Sequence, residues 1–292
     1  MHKVLAEILA GVIPHKPTRN RMRGMFRYGL LRAWRLRRQL ARDHSVPRYG
    51  LSVCAIAKDE GPYFVEWLEW HLSQGVDHFY VYDNDSSDGT RDILAPYVGR
   101  GIVDYIAWPG YRRQIAAYDD CLDRFRLDSR WLAFIDLDEF IVPVTDPSIP
   151  AFLSRCDAFA AVEVNWLVYG SGGQLTRTPG TMMQRFKCHA PWAHRLNRMV
   201  KSIVNPRRVY NMIGCHEAAR IDGHTADSHG TPVTRHFRER EPQHDVIRIN
   251  HYAVRSLEEF REKQARGRAS GKLRSVADDY FAQYDLNDIC DT

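Results

Sequence analysis

From residue 49 onward, short apolar runs alternate with segments whose apolar residues recur at helical spacing. Leu51–Ala57 (LSVCAIA) is a near-continuous apolar run with the length of a buried strand. It breaks at Lys58-Asp59-Glu60-Gly61-Pro62, where Pro62 suits the first turn of a helix. Tyr63–Gln74 then puts Phe64, Trp67, Leu68 and Leu72 on one face and stops at Gly75. His78–Tyr82 reads as a second strand, Thr90–Val98 as a short helix and Ile102–Ala107 as a third strand. Gln114–Phe125 aligns Ile115, Tyr118, Leu122 and Phe125 on a helix, and Trp131–Ile135 is a fourth strand. This alternation predicts an α/β fold, a mostly parallel Rossmann-like sheet with right-handed crossovers and helices on both faces. The chain divides into an N-terminal arm (1–48), a main domain (49–256) and a helical tail (257–292).

In parallel sheets ligands sit beyond the carboxyl ends of the strands. Three strands here end in polar sequence, KDE, DNDSSDG and DLDE, so three separated segments are expected to meet in one site. Within DNDSSDG, Ser86 or Ser87 is expected to cap the following helix. Neither GxGxxG after a strand nor GxxxxGK[ST] occurs, which argues against a dinucleotide oxidoreductase and a P-loop NTPase. Asp136 and Asp138 straddle the end of the run WLAFI. Carboxylates bracketed by apolar sequence are partly buried, where unpaired charge is costly. A hard divalent cation, Mn²⁺ or Mg²⁺, resolves that cost and leaves positions open for phosphate oxygens.

Charge changes the reading of the first 48 residues. The chain of 292 residues has a formal charge of +5, yet residues 1–48 hold twelve Lys/Arg against Glu7 and Asp43, and the remainder is mildly acidic. Between Arg21 and Arg42, apolar Met22, Met25, Phe26, Leu30, Ala33, Trp34 and Leu40 recur among arginines. A basic amphipathic helix of this kind lies on an anionic membrane surface; the other open readings are a solvated arm and a helix packed on the main domain. Nucleic acid is not an expected partner, because the main domain is acidic and no RNA or DNA module follows. No apolar run approaches the roughly 20 residues that span a bilayer. Six cysteines, Cys54, Cys121, Cys156, Cys188, Cys215 and Cys290, form no CxxC pair and read as reduced packing thiols. Together these place the protein in the cytoplasm, peripheral on the inner face of the membrane.

Taken together, CAIAKDEGPYFVEWLEWHLSQGVDHFYVYDNDSSDGT, the helix from Gln114, WLAFIDLDEFIVP, NWLVYGSGG and INHYAVRS resemble glycosyltransferases of the GT-A fold, of the family 92 type related to family 2. The resemblance runs from about Leu51 to Ser256. It implies an inverting transferase that uses a nucleotide-sugar, commonly a UDP-sugar, and a divalent metal. It also implies that Ala57, Lys58 and Glu60 flank the nucleotide. Asp83 and Asp88 would contact base or ribose, with Gln114 nearby. Asp136 and Asp138 match the metal and pyrophosphate motif, and His251 a metal ligand or phosphate contact. Arg255 stands where the family often has Lys and would neutralise the leaving phosphate.

Inversion requires a general base on the face opposite the leaving group. Glu217, His216 and Glu163 are the candidates, with Glu217 favoured. Trp166 and Tyr169, beside Gly170-Ser171-Gly172-Gly173, offer a platform for an acceptor sugar, on a glycan or glycolipid. Lys201 is either a phosphate contact or a surface group. The basic stretch Leu257–Arg274 is either a lid over the pyrophosphate or a solvated helix face. Two other classes stay open: a nucleotidyltransferase, and a non-catalytic carbohydrate- or membrane-binding protein on a degenerate fold.

Overall fold

The computed structural model describes residues 22, 24–26, 28–267 and 277–291. Along β1 (Tyr49–Ala57) the side chains alternate between two cores. Leu51, Val53, Ala55 and Ala57 enter one apolar cluster, Cys54 and Ile56 another, as expected of a strand covered on both faces. The first cluster is closed by α2 (Gly61–Ser73) and α3 (Thr90–Gly99), through Phe64, Trp67, Leu68 and Leu94. The second is closed by α4 (Gln114–Phe125), through Ala117, Tyr118, Cys121 and Leu122. Helix α2 starts with Pro62 in its first turn, and the chain leaves it through Gly75 at φ +90. A Cβ there would stand 2.9 Å from Pro150, so both conformation and space call for glycine.

Strand β1 pairs in parallel with β2 (His78–Asp83) and β4 (Ser129–Phe134), and β2 with β3 (Val103–Ala107). The sheet continues through β5 (Glu139–Pro143), β6 (Ala161–Val168), β8 (Val200–Val204) and β12 (Ile247–His251) in the order β3-β2-β1-β4-β8-β6-β12-β5. Antiparallel β8 is wedged between β4 and β6, β12 runs parallel to β6, and β5 is antiparallel to β12. The α/β architecture and the strand–helix order match the sequence expectation. The antiparallel second half was not anticipated, because its pairings join strands far apart in the chain.

Of the N-terminal arm, α1 (Leu30–Leu40) packs Ala33 and Leu36 against Tyr210, Ala219 and Ile221. Arg32 pairs with Asp123, and Arg37 donates to Ile221 O at 2.9 Å. Residues 1–21, 23 and 27 of the arm lie outside the described residues. Among the described residues no helix is long and apolar enough to cross a membrane.

The cysteine expectation needs correction. Cys54, Cys121, Cys156 and Cys215 are free, but Cys188 and Cys290 form a disulfide. It joins β7 (Cys188–His189) to β13 (Ile289–Cys290), an antiparallel pair that folds the C-terminus back onto the domain. The partners are 102 residues apart, so no local spacing announced the pair. A structural disulfide is characteristic of oxidising compartments, which removes the cysteine argument for a cytoplasmic setting.

Candidate active site

The ends of β1 and β2 are stitched to each other. Asp59 N donates to Ser86 Oγ at 2.8 Å, Ser87 N to Asp59 Oδ1 at 2.6 Å, and Gly61 N to Asp88 Oδ2 at 2.8 Å. Asp88 Oδ1 also accepts from Thr90 N and Oγ1, so this carboxylate ties the first turns of α2 and α3 together. The expected serine caps are absent. Gly89 in the left-handed region is the N-cap of α3, and both serines serve the cross-loop contacts instead. Asp83 is buried, and its Oδ2 accepts from Tyr105 OH at 2.5 Å. Asn84 holds Trp108 O and Gly110 O at 2.8 Å.

Between these loops, the end of β4 and the C-terminal helices lies a solvent-open cleft of about 810 Å³. Of the residues singled out from sequence, Lys58, Glu60, Gln114, Asp136, Asp138 and His251 line it, with Trp166. Ala57, Asp83, Asp88, Arg255, Glu163, His216 and Glu217 are not among its lining residues.

On the far wall, α7 (Leu257–Ala265) opens on a capping box in which Ser256 and Glu259 exchange side-chain and backbone contacts. Glu259 is anchored further by Arg185 and by Tyr63 OH at 2.9 Å, and burial that would raise its carboxyl is outweighed by these partners, holding it down to about 2. The helix thereby presents Lys263 and Arg266 to the cleft. Lys263 Nζ contacts Asp138 Oδ2, while Arg266 reaches Glu60 Oε1 at 2.6 Å and Asp59 O. This part of the basic stretch therefore lines the cleft; residues 268–276 lie outside the described residues. Arg255, at φ 60, is wholly buried over the ring of Tyr63 at 3.6 Å and 3.4 Å from Glu60.

At the floor, Asp136 Oδ1 accepts from Gln114 Nε2 at 2.9 Å, and Asp136 Oδ2 lies 2.7 Å from Lys201 Nζ. Lys201 is buried and lies 3.2 Å from Glu139 Oε2. Burial works against its charge, but Asp136 and Glu139 outweigh burial and keep it protonated. His251 Nε2 lies 3.7 Å from Asp138 Oδ1, and burial pushes the imidazole down, leaving it neutral as a metal ligand must be. Burial would raise Asp138, but Lys263, His251 and Arg255 hold it well below the usual carboxylate range. Asp138, Glu139 and His251 offer ligand atoms within 4.8 Å of one another. Glu139 Oε1 and His251 Nδ1 are buried without a hydrogen-bond partner. Two oxygens and an imidazole nitrogen suit Mn²⁺ and are compatible with Mg²⁺.

The three base candidates differ in surroundings. Glu163 is buried against Arg240, and its carboxyl is pushed up to about 7 by burial. It pairs across the sheet with Ser202 whereas Lys201 pairs with Val164, so Glu163 and Lys201 project to opposite faces. His216 holds Val200 O at 2.7 Å, packs 5.5 Å from the Trp166 ring and is pushed down to about 4 by burial. Glu217 is the most exposed of the three, with His236 Nε2 at 3.9 Å. Tyr169, expected as a sugar platform, is buried beneath the C-terminus, its OH bonded to Asp291 at 2.8 Å. Tyr280 and Tyr284 of α8 (Ala277–Tyr284) line the cleft instead, stacked at 4.1 Å. Their spacing of four on a helix was the available signal, and it was not singled out.

The model of the family described as "Glycosyltransferase family 92" matches residues 49–278. A family 92 protein of Ricinus communis is 24% identical over 225 residues, covering 73% of this chain and 37% of its own length. The β-1,4-galactosyltransferase galt-1 of Caenorhabditis elegans is 26% identical over 221 residues, 66% of this chain and 49% of its own. The chain thus matches half or less of these relatives' lengths. Among solved structures, S. aureus TarS 1–349 in complex with UDP is 17% identical, covers 54% of this chain and 47% of its own, and has a TM-score of 0.36.

Proposed function

The chain belongs to glycosyltransferase family 92, and on that premise we propose that it transfers a hexose from a UDP-sugar to a glycan or lipid-linked hydroxyl, with inversion. The observation that carries this reading is one cleft in which Lys58, Lys263 and Arg266 face Asp136 and Asp138. The leaving nucleoside diphosphate gathers negative charge as the glycosidic bond breaks. Groups already fixed around it stabilise that charge without reorganising. Arg266, set by the capped helix α7, is such a group, and Lys263 of the same helix also lines the cleft. Lys58 is held at the mouth by Asn84 O and Asp85 O. A Mn²⁺ or Mg²⁺ ion at the acidic cluster supplies further Lewis-acid stabilisation of the diphosphate. Glu217 takes the acceptor proton, being the candidate base least committed to a partner, and His216 orients the acceptor side. Trp166 and the Tyr280/Tyr284 stack give sugar rings apolar faces.

The reaction takes place at an anionic membrane surface. Support comes from α1, whose outward face carries exposed Leu30, Leu31 and Trp34 beside Arg35 and Arg38, with Arg42 exposed in the turn that follows.

The test is a nucleotide-sugar panel scored by released nucleotide, with and without Mn²⁺. We expect release from a UDP-sugar that depends on the ion and falls at least about a hundredfold in Asp138→Asn. No release from any nucleotide-sugar, or unaltered release in that variant, would overturn the reading.

A further inference from the structure

Resting on the transferase reading, we infer that the divalent ion is held by Asp138, Glu139 and His251, while Lys201 keeps Asp136 out of its coordination. The i, i+2 carboxylates at the end of β4 look equivalent in sequence, but the structure treats them differently. Both oxygens of Asp136 are already engaged: Oδ1 by Gln114 Nε2 at 2.9 Å and Tyr118 OH at 3.3 Å, Oδ2 by Lys201 Nζ at 2.7 Å. A divalent ion on Asp136 would stand against the ammonium of Lys201, which is buried and 2.7 Å from Oδ2. Two cations on one carboxylate repel each other, and the lysine is enclosed by the protein and cannot swing into solvent.

Glu139 has the opposite imbalance. Its Oε2 accepts from Asp136 N at 3.0 Å and faces Lys201, but its Oε1 has no partner although the residue is fully buried. An unpaired carboxyl oxygen in the interior calls for a hydrogen-bond partner or a cation. A carboxylate oxygen of Glu139 lies within 4.8 Å of ligand atoms of Asp138 and His251. The first residue after the motif thus completes the ligand set, and Asp136 is left facing Gln114 and the nucleotide end of the cleft.

Lys263 adds a sign that can be measured. Its ammonium sits on Asp138 Oδ2 and Ala253 O, so it competes with a divalent ion for a ligand oxygen. A bound ion would displace Lys263 from Asp138 Oδ2.

The experiment measures Mn²⁺ binding to the full chain by the electron-paramagnetic signal of free Mn²⁺, with no nucleotide or sugar present. Glu139→Gln and Asp138→Asn are expected to weaken binding at least about tenfold, and Asp136→Asn to stay within about threefold of wild type. Lys263→Met is expected to tighten binding by about threefold or more, a gain that misfolding cannot produce. Where circular dichroism shows that Glu139→Gln does not fold, Asp136→Asn and Lys263→Met decide. Loss in Asp136→Asn equal to that in Asp138→Asn, unchanged affinity in a folded Glu139→Gln, or no tightening in Lys263→Met would overturn the assignment. The expected Mn²⁺ pattern without nucleotide release from any nucleotide-sugar would instead refute the transferase reading and leave the ligand set standing.

Discussion

His71 lies where α2 meets β5, and both of its ring nitrogens are committed. Nδ1 faces Trp67 O at 2.8 Å, and Nε2 accepts from Ile141 N at 3.2 Å, which fixes the neutral tautomer with hydrogen on Nδ1. Burial pushes this imidazole down to about 4. In the unfolded chain the group titrates near 6.5. A depressed folded value means that protonation favours the unfolded state, so its stabilisation is complete above the unfolded value and is lost as pH falls toward the folded one. We expect a loss of about 2 kcal/mol between pH 7 and pH 5, read by urea unfolding. His71→Gln, which keeps an acceptor for Ile141 N, should flatten that part of the profile; an equal slope in the variant would refute the assignment. The same logic tests the proposed catalytic base. Glu217→Gln should lower kcat by about 10²- to 10⁴-fold. A base must be deprotonated, so an acid limb near pH 7 that vanishes in Glu163→Gln would move the role to Glu163, whose carboxyl is pushed up to about 7.

Single residues of this kind matter through the elements that carry them, and the C-terminal segment shows the connection. It returns across the Gly170 loop, where Ser171 N donates to Asp285 Oδ1 at 2.6 Å and Gly172 N to Asn287 Oδ1 at 2.7 Å. A Cβ on Gly170 would stand 2.5 Å from Leu286 O, so only glycine lets the two backbones meet. The Cys188–Cys290 bridge closes a loop across a separation of 102 residues. Replacing both cysteines by serine should cost about 2–4 kcal/mol. Because the same segment continues from α8, donor or acceptor KM should rise more than kcat falls, as Tyr280 and Tyr284 leave their places. Unchanged stability and unchanged KM would sink this account. None of it was legible in the sequence. The strand ends were, because an apolar run breaking into KDE or DLDE is a local signal that parallel-sheet topology converts into a site. Lys201, Glu139 and the two tyrosines acquire their roles from pairings 62 or more positions distant, or from a return of the chain, which spacing does not encode.

At the scale of the molecule, charge and exposed apolar surface coincide on α1. One side of this helix is spent on the domain, through Ala33 and Leu36. The other leaves Leu31 at 74% and Trp34 at 55% exposure, with Arg38 over the indole at 4.6 Å. The packed reading thus holds for one face of this helix, and the other face is exposed. Large apolar side chains flanked by arginines have a physical use at a lipid headgroup layer, where the rings and stems leave water and the guanidinium groups meet phosphate. Each basic residue contributes on the order of 1 kcal/mol near an anionic surface, and burial of a Leu or Trp about 1.5–3 kcal/mol. We therefore expect the chain to sediment with phosphatidylglycerol-rich vesicles and not with neutral ones. Binding should weaken on raising salt from 0.1 to 0.5 M, since screening shortens the reach of the arginines. Leu31→Gln with Trp34→Gln should weaken it by at least about tenfold, without altering the unfolding temperature or release of nucleotide, since neither side chain belongs to the core or the cleft. Equal sedimentation of the double variant, or binding indifferent to lipid charge, would leave the outward face of α1 without a role at the membrane.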